Sequence, residues 1–138
     1  MIEGSCLCGA VRFRARRISG IVTCHCTMCR KAAGGAAGAF CVALRDEVTW
    51  EGAEHLTVHQ SSPGLERSFC SRCGTAMTGA NLIEPDETVI LAANALDGDV
   101  AARVIAQEHC AAKAAWDRDS EKAPHFDGAF PGWENLRP

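Results

Sequence analysis

Cys6-Leu7-Cys8-Gly9-Ala10-Val11-Arg12-Phe13-Arg14-Ala15-Arg16 sets two soft metal-type ligands directly in front of a strand. From Val11 to Arg16 apolar and charged residues alternate, the period-two signature of a strand with one face on a core and one in water. Working outward, the run Ala39–Leu44 follows a Gly-rich stretch, and further strand-like pieces lie at Val48–Trp50, Leu56–His59, Thr88–Ala92 and Arg103–Gln107. Turn signals separate them at Glu51-Gly52, Ser62-Pro63-Gly64, Glu84-Pro85-Asp86 and Asp97-Gly98-Asp99. About six short strands with turns between them predict a mainly β domain. Helix signals are weaker: Met28–Ala33 offers a turn or two and Cys110–Asp117 is Ala-rich, yet neither carries a long amphipathic repeat. The tail from Asp117 is expected to lie irregularly over the core through Phe126, Phe130 and Trp133. No linker divides the chain, so residues 1–138 read as a single domain.

Composition narrows the options. With 14 Lys and Arg against 17 Asp and Glu, the formal charge is −3, which argues against a nucleic-acid-binding arm. Of the residues counted as hydrophobic, 23 are Ala and 9 are Cys, so large core side chains are few. No run approaches the roughly 18 apolar residues of a membrane span, and the start has no basic end followed by an apolar stretch. The expected setting is therefore the reducing cytoplasm, where thiols stay free and closely spaced cysteines point to metal or catalysis.

Seven of the nine cysteines form three clusters: Cys6/Cys8, Cys24/Cys26/Cys29 and Cys70/Cys73, with Cys41 and Cys110 left over. Structural zinc takes four protein ligands and catalytic zinc three, so seven thiols divide as four plus three. The triplet can wrap one ion alone, because a turn after Cys26 returns Cys29 to the same side, and it leaves one coordination position open. Cys6, Cys8, Cys70 and Cys73 would share a closed site, helped by Gly9 and Gly74, which let the backbone curl until amides reach the sulfurs. A redox pair is the alternative for Cys70-Ser71-Arg72-Cys73 alone, but it leaves Cys6 and Cys8 unexplained. An iron–sulfur cluster is a second alternative, although it takes four thiolates where the triplet supplies three.

Cys41, in an apolar run, reads as a small core residue. His109 and Cys110 read first as packed or surface residues, with a metal or functional part as the alternative. His25 is either a substrate contact or a side chain pointing to solvent. Arg30 and Lys31 are either a solvated basic face or partners for substrate carboxylates. Three thiolates donate much charge to Zn²⁺, which makes it a poor activator of water and a better host for an incoming thiol. The spacing thus favours chemistry at a substrate sulfur.

Gly4-Ser5-Cys6-Leu7-Cys8-Gly9-Ala10-Val11-Arg12-Phe13, Cys24-His25-Cys26-Thr27-Met28-Cys29-Arg30-Lys31 and Phe69-Cys70-Ser71-Arg72-Cys73-Gly74-Thr75 together resemble the signature of the glutathione-dependent formaldehyde-activating family, which includes centromere protein V. His109, Lys113 and Trp116 resemble its closing motif, with Ala114-Ala115-Trp116 where members commonly carry Ala-Pro-Trp. The resemblance implies a zinc-stapled β-tent, two packed antiparallel sheets with short helical turns. It also implies a structural zinc on Cys6, Cys8, Cys70 and Cys73 and a catalytic zinc on Cys24, Cys26 and Cys29, two ions per chain. The implied activity is a carbon–sulfur lyase of the S-(hydroxymethyl)glutathione synthase type, with a small thiol such as glutathione and an aldehyde such as formaldehyde as partners. The alternative is a non-catalytic zinc-binding interaction or scaffold module. Trp116 reads first as core packing, with a pocket wall as the alternative.

Overall fold

The computed structural model describes residues 1–84 and 86–129. Among the described residues, ten strands and one short α-helix carry the fold: β1 (Ile2–Ser5), β2 (Arg12–Ala15), β3 (Ile21–Cys24), α1 (Thr27–Ala33), β4 (Gly38–Leu44), β5 (Val48–Glu51), β6 (Leu56–Ser62), β7 (Leu65–Cys70), β8 (Asn81–Leu82), β9 (Thr88–Ala92) and β10 (Val104–Glu108). The mainly β architecture with short helical turns is the one the sequence predicts. Hydrogen bonding divides the strands into three small sheets, ordered β1-β2-β5, β10-β3-β4-β9 and β6-β7-β8. All pairs are antiparallel except β3 with β10, which run parallel. Single bridges join Gly4 of β1 to Leu96, and Thr78 to Leu91 of β9.

In β2 the alternation works as read: Phe13 and Ala15 are buried while Arg12 and Arg14 face water. Arg14 sits between Glu3 and Glu51 on the two flanking strands, 3.0 Å from each carboxylate. The core joins all three sheets through Val11, Phe13, Cys41, Cys70, Met77 and Leu91. Phe13 meets Trp50 on β5 at 5.3 Å between ring centroids, tilted by 57°. With so few large side chains available, Cys41 acts as a small hydrophobe and fills space that a bulkier residue would overpack. Cys41 is therefore a core residue, as read.

Four strands escape the sequence patterns. Ile21–Cys24 is a run of four residues half-covered on both faces, so it has no alternation to detect. In Leu65–Cys70 the charged neighbours Glu66 and Arg67 point to opposite faces and mask the period. β8 has only two residues, and the one buried position of β1 is a glycine, Gly4, which carries no apolar side chain to mark it. The Ala-rich stretch expected near Cys110–Asp117 is a pair of 3₁₀ turns, Cys110–Ala112 and Ala115–Asp117, because Ala propensity without an apolar stripe does not hold a longer helix. Trp116 is corrected more sharply: it is 72% exposed and does not pack in the core, whereas its neighbour Ala114 is buried. Phe126 is half exposed rather than laid into the core, and Phe130, Trp133 and Pro85 lie outside the described residues.

Candidate metal centres and the adjoining cavity

Two turns of the same design bring Cys6, Cys8, Cys70 and Cys73 together. In the first, the Cys6 amide donates to the Val11 carbonyl at 3.0 Å and the Gly9 amide to the Cys6 carbonyl at 2.9 Å. In the second, the Cys70 amide donates to Thr75 at 2.9 Å and the Gly74 amide to Cys70 at 2.8 Å. Both turns reverse through a left-handed glycine, Gly9 with φ 73° and Gly74 with φ 77°, a conformation that costs any residue with a Cβ. The four Sγ atoms lie within 4.8 Å of one another. Cys6 and Cys8 are 3.6 Å apart, Cys8 and Cys70 3.8 Å. A tetrahedron with zinc–sulfur bonds of about 2.3 Å has edges of about 3.8 Å, so the spacing fits a metal and is far too long for a disulfide.

The charge states of these thiols fit a cation as well. The Thr75 hydroxyl, 3.2 Å from Cys73 Sγ, and the Thr75 amide pull the Cys73 thiol down to about 5. Burial opposes ionisation of Cys6 most strongly, but the Val11 amide, 3.2 Å from its sulfur, and the Cys8 and Cys70 thiols outweigh it and lower its pKa. At Cys8 the Ala10 amide favours the thiolate, yet Cys6, burial and the other two sulfurs together push the thiol up to about 11. Neighbouring thiolates repel, so the cluster resists full ionisation by itself, and a bound dication would remove that resistance.

The triplet is built where a strand meets a helix. Cys24 ends β3 in a buried position, Cys26 caps α1 with extended backbone, and Cys29 is buried in the first helical turn. The Cys29 amide donates to Cys26 Sγ at 3.3 Å. All three sulfurs lie within 4.8 Å of one another. Burial dominates at Cys24 and holds its thiol well above the ordinary range, with Cys29 and Glu108 adding to the effect. Burial works against Cys26 too, but the Cys29 amide and the neighbouring thiols prevail and lower its pKa.

Parallel strand β10 clasps this loop. The His25 amide donates to the Glu108 carbonyl at 3.0 Å, and its Nε2 lies 3.1 Å from Gln107 Oε1. His25 is therefore buried and does not point to solvent, since the parallel pairing turns it toward β10. Arg30 bends back so that its Nε donates to the His25 carbonyl at 3.2 Å, which makes it a clamp on the loop. Glu108 and His109, at the end of β10, also approach Cys24: one donor atom from each of the three lies within 4.8 Å of the others. Neither forms such a set with all three sulfurs. His109 has φ 53°, the single positive φ outside glycine among the described residues. Cys110 is exposed and belongs to no such set.

Arg67, on β7, is the site residue that no sequence signal marks. Its Nη2 lies 3.5 Å from Cys29 Sγ, and its Nε donates to Ser61 Oγ at 3.3 Å. Beside it opens a cavity of about 600 Å³ whose walls include Lys31, Phe40, His59, Arg67, Phe69 and Thr75. Gly74 and Thr75 of the second cysteine turn and Lys31 of α1 line it, and none of the cysteines does. Of the basic pair after the triplet, Lys31 reaches the cavity, while Arg30 serves the loop.

Comparison with known proteins agrees with this geometry. A family model described as "Glutathione-dependent formaldehyde-activating enzyme" matches residues 1–114, which takes in all three cysteine clusters and stops short of Trp116. A protein of Halomonas elongata, named provisionally as a glutathione-dependent formaldehyde-activating enzyme, is 40% identical over 111 residues, covering 72% of this chain and 68% of its own length. With the sulfurs grouped as four and three and the family matched from the first residue to beyond the end of β10, the chain belongs to the glutathione-dependent formaldehyde-activating enzyme family.

Proposed function

We propose that the protein joins a small thiol such as glutathione to an aldehyde such as formaldehyde, as a zinc-dependent carbon–sulfur lyase with two zinc ions per chain. The observation that carries this reading is the convergence of Cys24, Cys26 and Cys29, three sulfurs with no fourth cysteine in the set. A zinc ion held there would favour the thiolate form of an incoming thiol. In the reaction one carbon–sulfur bond forms, the carbonyl double bond becomes single, and the thiol proton ends on the former carbonyl oxygen. No electron is gained or lost. Cys24, Cys26 and Cys29 would hold the ion; the His25–Gln107 and Arg30–His25 contacts fix their loop; Arg67 donates to Cys29 Sγ at 3.5 Å. Cys6, Cys8, Cys70 and Cys73 hold the second, structural ion. Nine free cysteines accord with a reducing, cytoplasmic setting. No described helix is long and apolar enough to cross a membrane.

The test is a panel of thiols and aldehydes assayed with and without zinc. The expected result is adduct formation faster than the spontaneous rate, lost in Cys26→Ser while the fold is kept. If no thiol and aldehyde pair is accelerated, the reading fails. A scaffold module with a closed second site is the competing reading, favoured by the approach of Glu108 and His109 to Cys24. Replacing zinc by Co²⁺ separates the two: a spectrum that responds to added thiol supports catalysis. One that changes in His109→Ala and ignores thiol supports the scaffold.

A further inference from the structure

The end of β10 brings two further metal-type donors to a thiol of the triplet. Glu108 is the direct partner of Cys24 in the β3–β10 register, so both side chains leave the paired strands on the same side. Extended backbone would carry the next side chain to the opposite face. Instead His109 has φ 53° and ψ 35°, a left-handed conformation that no other non-glycine residue takes among those described. That turn breaks the alternation and returns the imidazole to the Cys24 side. One donor atom from each of Cys24, Glu108 and His109 then lies within 4.8 Å of the others.

Strained backbone of this kind persists where the surrounding structure requires it, and it concentrates at functional sites. Capping does not account for it: His109 precedes the 3₁₀ turn Cys110–Ala112, yet its side chain makes no cap hydrogen bond. Neither Glu108 nor His109 takes part in an ion pair among the described residues. The Glu108 carboxylate therefore stands against a cysteine whose thiolate it repels, with no side-chain cation to offset the two. A dication between them removes that repulsion. Thiolate, carboxylate and imidazole are the three donor types zinc accepts, whereas magnesium and calcium select oxygen alone.

Cys24 belongs to both sets. It is buried, while Glu108 and His109 are exposed, so the second set reaches from solvent to a ligand of the triplet. We infer that Cys24, Glu108 and His109 form a separate site for zinc or a similar borderline divalent ion, a staging position from which the ion passes into the triplet. In that passage Cys24 keeps its bond while Cys26 and Cys29 replace Glu108 and His109. Each incoming thiol loses its proton to solvent, and no electron moves. The staging role rests on the reading that the triplet holds an ion; the site itself does not.

The experiment uses the full chain, given one equivalent of zinc for the four-cysteine set, with Co²⁺ as the probe in reducing, oxygen-free buffer. Cys26→Ser/Cys29→Ser should still bind Co²⁺, with a sulfur-to-cobalt band weaker than that of the filled triplet because one thiolate is bound instead of three. Adding Glu108→Gln or His109→Asn should weaken that binding by at least about 10-fold, the low end of what losing even a supporting partner of a metal ligand costs. Asn accepts left-handed backbone and both positions are exposed, so the fold should be kept. In the chain with its triplet intact, stopped-flow mixing should show Co²⁺ uptake slowed several-fold by either substitution, with the final spectrum unchanged. No Co²⁺ bound by the Cys26/Cys29 variant, or binding that both substitutions leave alone, overturns the site. Uptake at the wild-type rate overturns the staging role. A final spectrum altered by His109→Asn makes His109 a ligand of the filled triplet and overturns it too. If uptake behaves as expected and no adduct formation is accelerated, the staging site stands and the proposed function fails.

Discussion

Removing two sulfurs from the four-cysteine set should cost the fold far more than removing two from the triplet. A metal held by Cys6, Cys8, Cys70 and Cys73 closes a loop of 62 residues between Cys8 and Cys70. Treating that clip as a cross-link on the unfolded chain gives a loop entropy worth about 4 kcal/mol. The triplet closes a loop of only about five residues, which the same relation values at about 2 kcal/mol. For a chain of 138 residues, an unfolding entropy of about 2.1 cal/mol/K per residue converts these into drops in Tm of about 15 °C and about 7 °C. Cys8→Ser/Cys73→Ser is the informative variant, because Cys8 is exposed and Cys73 intermediate, so little core packing is disturbed. Cys26→Ser/Cys29→Ser is its counterpart. Calorimetric melting of the three zinc-loaded proteins under reducing conditions gives the comparison. A Cys8/Cys73 variant that melts within about 4 °C of wild type, or above the triplet variant, refutes the view that a metal joins the N-terminal turn to β7.

Phe13→Ala removes a ring that is 1% exposed and packed on Trp50; denaturant titration should show a loss of about 3–5 kcal/mol. Trp116→Ala, at a position 72% exposed, should change stability by no more than about 0.5 kcal/mol in the same assay, and a loss on the Phe13 scale would place the indole in a core. In metal-free protein the Cys73 thiol, lowered to about 5, is a thiolate at pH 7, whereas burial pushes Cys41 up to about 11 and keeps it protonated. Iodoacetamide at pH 7 should therefore label Cys73 well before Cys41 in peptide mass mapping, and Cys73 labelling should fade as the pH falls toward 5.

Much of the candidate site is legible from spacing alone because its ligands come in short local groups. Cys24, Cys26 and Cys29 are brought together by one strand end and one helical turn, and the left-handed glycines that shape the Cys6–Cys8 and Cys70–Cys73 turns stand next to them in the chain. Local geometry of that kind needs no partner from elsewhere. The β2 pattern is equally plain, since Phe13 and Ala15 alternate with charged neighbours that face water. Strands β3 and β7 are hidden for the opposite reason: what stabilises them is pairing with distant segments, and their own residues do not alternate.

By itself, then, the order of residues determined a mainly β fold and the division of seven thiols into four and three. Tertiary structure alone decided which side chains surround the set of three. Arg67 lies 38 residues from Cys29 along the chain, and Gln107 lies 82 from His25. They meet because β7 runs past α1 and β10 pairs with β3. It also turned Trp116 outward and His25 inward. Such choices depend on loop closure and long-range strand pairing, whose energies are spread over many residues, so no short stretch of sequence records them.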